Sequence, residues 1–140
     1  MNIIIGQSGG PTAVINSSLT GVAQAAIKLG AEKVFGMIYG IEGFLEGKIF
    51  DMTPSLQSSV DVELIRRTAS SHLGSCRYQL PSPSEDENLY RRIFTTLEEL
   101  DIRYFFYIGG NDSMSAGLLS KNFRNFLLAA CSSDKSLAMP

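Results

Sequence analysis

Twice in 140 residues a short apolar run breaks into a glycine-rich loop and then into a helical stripe, and this echo constrains the fold more than any other feature. The first unit runs from Asn2–Ile5 through Gly6-Gln7-Ser8-Gly9-Gly10, with Pro11 where a first helical turn tolerates it. From Thr12 onward, Val14, Ile15, Leu19, Val22, Ala23, Ala26 and Ile27 fall at helical spacing, and Gly30 supplies a stop. In the second unit, the aromatic and branched run Arg103–Ile108 suits a buried strand; it ends in Gly109-Gly110-Asn111-Asp112-Ser113 before another helical stretch.

The intervening chain completes the pattern. Lys33–Tyr39 predicts a strand parallel to the first, joined to it by a right-handed crossover. Gly40, Gly43 and Gly47 punctuate the next stretch, Lys48–Asp51 reads as a short strand and Asp61–Arg67 as a short helix. After the turn Pro81-Ser82-Pro83-Ser84, the acids Glu85-Asp86-Glu87 face the positive end of a helix. Its stripe is Leu89, Tyr90, Ile93, Phe94, Leu97 and Leu100. The expectation is one α/β domain: three layers, a mostly parallel sheet with helices on both faces.

Bulk properties remove several classes of function. A hydrophobic fraction of 44% with a formal net charge of -2 is ordinary for a globular protein and excludes a disordered or fibrous one. The basic pairs Arg66-Arg67 and Arg91-Arg92 are isolated and offset by acids, so no nucleic-acid partner is expected. No apolar run approaches a membrane span and no charged signal region precedes the first strand, which gives the expectation of a cytoplasmic protein without a membrane partner. Cys76 and Cys131 have no CxxC spacing and His72 is the single histidine, so packing cysteines are expected, with neither a disulfide scaffold nor a zinc site.

In an open parallel sheet, loops at the carboxyl ends of strands share one edge, and ligands bind where the strand order reverses. Glycines there let the backbone approach a ligand, while a following helix offers free N–H groups and a positive dipole end, a pairing suited to phosphate. Each loop alone is served equally well by steric demands of the turn. Neither has the GxGxxG spacing of a dinucleotide fold or the GxxxxGK[ST] of a P-loop. Two such loops in one domain, the second followed by Asp112 and Ser113, favour phosphate chemistry.

Three segments carry a more specific signal. Gly6-Gln7-Ser8-Gly9-Gly10-Pro11-Thr12-Ala13-Val14-Ile15-Asn16 resembles the opening motif of phosphofructokinases. Leu73-Gly74-Ser75-Cys76-Arg77 and Ile108-Gly109-Gly110-Asn111-Asp112-Ser113-Met114 resemble later motifs of that family, in the same order, and the similarity spans roughly Asn2–Met114. The resemblance implies phosphoryl transfer to the 1-hydroxyl of fructose 6-phosphate, giving fructose 1,6-bisphosphate, with magnesium as helper ion. It implies that Gly9 and Gly10 contact the donor phosphates through backbone and that Arg77 holds a donor phosphate. Gly110, Asp112 and Ser113 would line the donor position, with Asn111 and Asp112 at the metal. Family members are usually homo-oligomers.

The resemblance also bears on the donor. Members that use ATP usually carry glycine where this chain has Asp112, and members that use diphosphate carry aspartate. A carboxylate about 4 Å from the ATP α-phosphate would cost roughly 4 kcal/mol at an effective dielectric near 20, on the order of a thousandfold in affinity. Inorganic diphosphate escapes that clash. Ile38, near where ATP users often place a tyrosine against the nucleoside, agrees with a donor that has no base. Asn111 stands where ATP users have a metal-binding aspartate, and Asp112 is expected to take over part of that duty.

The family's next motif, Thr-Ile-Asp-Asn-Asp, holds the aspartate that takes the sugar hydroxyl proton, and it has no match in this sequence. Ser136–Pro140 reads as the strand leading into it. Residues 1–140 are therefore expected to form the donor-binding amino-terminal domain of the family fold, cut before its catalytic segment and inactive alone. A non-catalytic phosphate-binding or regulatory module and a bare structural remnant stand as alternatives.

Overall fold

The chain builds a five-stranded sheet in the order β3-β2-β1-β4-β5, with β1 (Asn2–Gln7) at its centre. The computed structural model describes residues 1–9 and 14–109 together with the backbone of 126–130. Gly10, Pro11, Gly110–Ser113, Cys131 and Ser136–Pro140 lie outside the described residues.

β1 pairs in parallel with β2 (Lys33–Met37) on one side and with β4 (Ile102–Gly109) on the other. β5 (Phe126–Ala130) continues the parallel set beyond β4, while β3 (Ile49–Asp51) pairs antiparallel with β2 at the opposite edge. Ile3, Ile4 and Ile5 are at most 2% exposed, as expected of a strand covered on both faces. Each contributes about 2 kcal/mol by leaving water.

The strand period of two divides these side chains between two cores. Ile3, Ile5, Val34 and Ile108 join the core against α1 (Ile15–Lys28) and α3 (Ser59–Arg67). Ile4, Phe35, Met37, Phe105 and Tyr107 join the other, against α2 (Gly40–Leu45) and α4 (Glu87–Glu99). The result is the expected three-layer arrangement of a mostly parallel sheet with helices on both faces.

Helix ends follow their local chemistry. After α1, the Ala31 N–H donates to the Ala26 carbonyl and Gly30, at φ +94°, donates to Ile27, a Schellman closure that glycine permits without strain. Asp86 caps α4 by accepting from the Leu89 N–H at 3.1 Å, and Ser58 caps α3 from Asp61 at 3.3 Å. α1 begins at Ile15, later than Thr12, with no side-chain cap.

The stretch after β2 departs from expectation. The strand stops at Met37 rather than Tyr39, because Tyr39 turns left-handed at φ 59° and opens α2. Gly40 and Gly43 argue locally against a helix. Burial of Ile41 and Phe44 overrides that preference, and a close approach makes Gly43 necessary. A Cβ there would lie 1.5 Å from the Ile38 carbonyl oxygen, a backbone atom that cannot swing aside. Gly43→Ala is therefore expected to destabilise the protein by about 3 kcal/mol, read as a lowered urea midpoint; an unchanged midpoint would refute the close approach.

Candidate functional site

Sheet order places the site. From β1 the chain moves to β2 on one side, then returns past β1 to β4 on the other. The carboxyl ends of β1 and β4 are thus adjacent at the point where the order reverses, which is where open α/β sheets bind ligands. Gln7 is in register with Ile108, and the Ser8 N–H donates to the Ile108 carbonyl at 2.8 Å. The first glycine loop leaves β1 here at Gly9, whose φ is +78°, and β4 ends here at Gly109.

A third segment joins this edge. Gln7 is fully buried, so both donors and both acceptor positions of its amide need partners. Its Nε2 donates to the Ile15 carbonyl at 3.3 Å and to Asn16 Oδ1 at 3.0 Å. Its Oε1 accepts from the Leu73 N–H at 2.9 Å and faces the Ser71 hydroxyl at 2.8 Å. Asn16, also fully buried, donates through Nδ2 to the Thr68 and Ser70 carbonyls at 2.8 and 2.7 Å. Its Oδ1 accepts from the His72 N–H at 2.9 Å.

Two side chains thereby clasp residues 68–73 to the start of α1 and the end of β1. Further along, the Ser75 hydroxyl donates to the Gly9 carbonyl at 2.6 Å. The Leu73 carbonyl accepts from Tyr39 at 2.9 Å, and Gly74, at φ +75°, lies so close to the Tyr39 ring that a Cβ would stand 2.6 Å from it.

Of the residues expected at the site, Gly9 and the segment bearing Arg77 are brought together, one residue, Cys76, separating Arg77 from the Ser75 contact. Arg77 is exposed, and no ion pair or hydrogen bond ties its guanidinium to another described residue. Arg66, Arg67, Arg91, Arg92 and Arg103 each have such a partner. Gly10, Gly110, Asn111, Asp112 and Ser113 lie outside the described residues. Among the described residues there is no cluster of three or more potential metal-binding His, Cys, Asp or Glu side chains.

Near the carboxyl end of β4 lies Tyr107, 2% exposed, whose hydroxyl accepts from the Ile41 N–H at 3.2 Å and meets Cys76 Sγ at 3.7 Å. Cys76 is buried in the core, as expected of a packing cysteine. Ile38 packs partly buried against the α1-side core, and Tyr39 is the exposed ring at this edge. Sequence reasoning placed Gln7 and Asn16 inside a motif but assigned them no task. Their signal was a polar side chain at the end of an apolar strand and another on the buried stripe of a helix.

A family model described as phosphofructokinase matches residues 2–132. The chain belongs to the phosphofructokinase family. It is 38% identical over 112 residues to the pyrophosphate--fructose 6-phosphate 1-phosphotransferase of Rhodospirillum rubrum, covering 79% of this chain and 26% of that protein. The enzyme of the same name from Xanthomonas campestris is 38% identical over 117 residues, 84% of this chain and 27% of that protein. Among solved structures, the pyrophosphate-dependent phosphofructokinase of Nitrosospira multiformis superposes with a TM-score of 0.72 at 36% identity, covering 85% of this chain and 28% of that one. The chain thus spans about a quarter of the length of these relatives. Among the described residues, no helix is long and apolar enough to cross a membrane.

Burial holds the Tyr107 phenol well above its ordinary value, with nearby Cys76 adding to the shift. The unfolded phenol titrates near 10, so both states are neutral below that pH. Above it the unfolded chain releases its proton first, and stability falls as pH rises. Denaturant midpoints measured from pH 8 upward are expected to drop beyond about pH 10, and Tyr107→Phe to flatten that drop; an equal drop in the variant would refute the assignment.

Proposed function

We propose that residues 1–140 form the donor-binding domain of a diphosphate-dependent phosphofructokinase. In that reaction a phosphoryl group passes from diphosphate to the 1-hydroxyl of fructose 6-phosphate, leaving phosphate and fructose 1,6-bisphosphate. The observation that carries the reading is the convergence at the strand-order reversal: Gly9 at the end of β1, and the segment leading to Arg77 fastened beside it. The activity for which these relatives are named supports the choice of diphosphate, as does Asp112 in the position discussed above.

In this reading the backbone at Gly9 and Gly10 meets the donor phosphates closely, a role for which side-chain-free residues are suited. Arg77 supplies a permanent charge and a fork of donors that matches phosphate oxygens. Gly110, Asp112 and Ser113 line the rest of the donor position. Magnesium would be held by Asn111 and Asp112, whose oxygen atoms suit a hard cation, and it would neutralise charge on the donor. Catalysis in phosphoryl transfer is largely positioning and charge stabilisation, so binding and orienting the donor is a separable contribution. Donor and acceptor are both dissolved phosphates, which fits a cytoplasmic setting, and the whole enzyme is proposed to assemble as a homo-oligomer.

Calorimetric titration tests this. The chain is expected to bind diphosphate with magnesium and to bind ATP far more weakly, and Arg77→Ala to weaken diphosphate binding on the order of 10- to 100-fold. Supplied with fructose 6-phosphate as well, the 140-residue polypeptide is expected to form no fructose 1,6-bisphosphate, because no residue of it matches the family's proton-abstracting aspartate. Absence of diphosphate binding would favour a structural role, and product formation would overturn the division of labour.

A further inference from the structure

The proposed donor site leaves one polar apparatus without a task. Among the described residues, the four buried polar ones are Gln7, Ser8, Asn16 and Thr20, all within the end of β1 and the first turns of α1. Burying two primary amides is costly unless every donor and acceptor is met; the structure meets them with α1, with each other and, above all, with one segment. Four of the contacts made by Gln7 and Asn16 go to the backbone of Thr68, Ser70, His72 and Leu73.

No regular secondary structure fixes that segment, although the burial of Leu73 and Cys76 and the Tyr39 N–H bond to the Leu73 carbonyl also hold it. It follows the end of α3, belongs to no helix or strand, and passes through left-handed backbone at Ser70, φ 71°, and Gly74, φ 75°. Leu73 anchors it in the core, and Ser75 ties it to the Gly9 carbonyl. The amides are also oriented. Turning either by a half-rotation would set its NH2 group against a backbone N–H and its oxygen against a carbonyl, so the contacts specify one arrangement of the segment.

We infer that Gln7, Asn16 and Ser75 are positioning residues for donor binding, holding the segment Thr68–Arg77 in register with the first glycine loop so that Arg77 and the Gly9 backbone address the same phosphate group. The inference rests on the proposed diphosphate site. None of the three touches the donor; they act through Arg77.

A positioning role makes a prediction that plain stabilisation does not. If Ser75 acts through Arg77, its removal matters only while Arg77 is present. Diphosphate dissociation constants measured by calorimetry on the full chain should show Ser75→Ala weakening binding about fivefold, the worth of one hydrogen bond. In an Arg77→Ala background, Ser75→Ala should change affinity less than about twofold. Gln7→Met should behave alike, and in that variant the His72 and Leu73 amides should exchange hydrogen faster with solvent. Should Gln7→Met fail to fold, the cycle through Ser75 and Arg77 decides alone. Additive losses in the double variant, with normal binding by the parent chain, would overturn the positioning role and leave the donor site standing. A parent chain that takes up no diphosphate would overturn the donor site and this inference together.

Discussion

Gln7 stands at the carboxyl end of the central strand with no contact with solvent, and the order of everything around it follows from how its amide is satisfied. A buried amide without partners would cost more than several buried methylenes return. Backbone groups of β1 are engaged with β2 and β4, so the side chain must look beyond the sheet. It finds Ile15 and Asn16 on α1 and the segment after α3. One residue thereby couples the first loop, the helix that follows it and a segment more than sixty positions away in sequence.

That coupling acts on a geometry already set by the sheet. Because β2 and β4 flank β1 on opposite sides, the strand order reverses at the carboxyl end of β1, the place where open α/β sheets bind ligands. Gly6 and Tyr107 reinforce the arrangement on the other face: a Cβ at Gly6 would come within 2.6 Å of the Tyr107 ring. The strand therefore approaches its aromatic neighbour closely, and the phenol reaches past it to the start of α2. Rigid packing below and a polar clasp above leave the reversal point supported on both sides.

Much of this was legible in the sequence, where periodicity and chemistry agreed. Ile3-Ile4-Ile5, the stripe of α1 and the stripe of α4 announced their elements because burial and local preference point the same way. The 40–45 helix was not legible, since its glycines argue against it and only tertiary burial of Ile41 and Phe44 decides for it. The glycine loop at Gly9 and the Arg77 segment were readable as separate motifs. Their union was implied by the family resemblance alone and not by spacing, because it depends on side chain to backbone bonds between residues 7 and 73 or 9 and 75, for which sequence spacing carries no period.

The distribution of labour that results has a physical logic. A donor phosphate is recognised by many weak, directional contacts, chiefly from backbone and a guanidinium, and their sum depends on simultaneous placement more than on the strength of any one. Backbone contacts cannot be tuned by exchanging side chains, so specificity must enter through whatever holds the backbone in place. In the proposed donor site that office would fall to neutral amides and a hydroxyl, which orient the chain without adding charge. A carboxylate in the position of Gln7 or Asn16 would bring a negative charge toward the loop proposed to receive an anion. Neutral donors and acceptors can fix the loop while leaving its electrostatic character to the glycine backbone and Arg77.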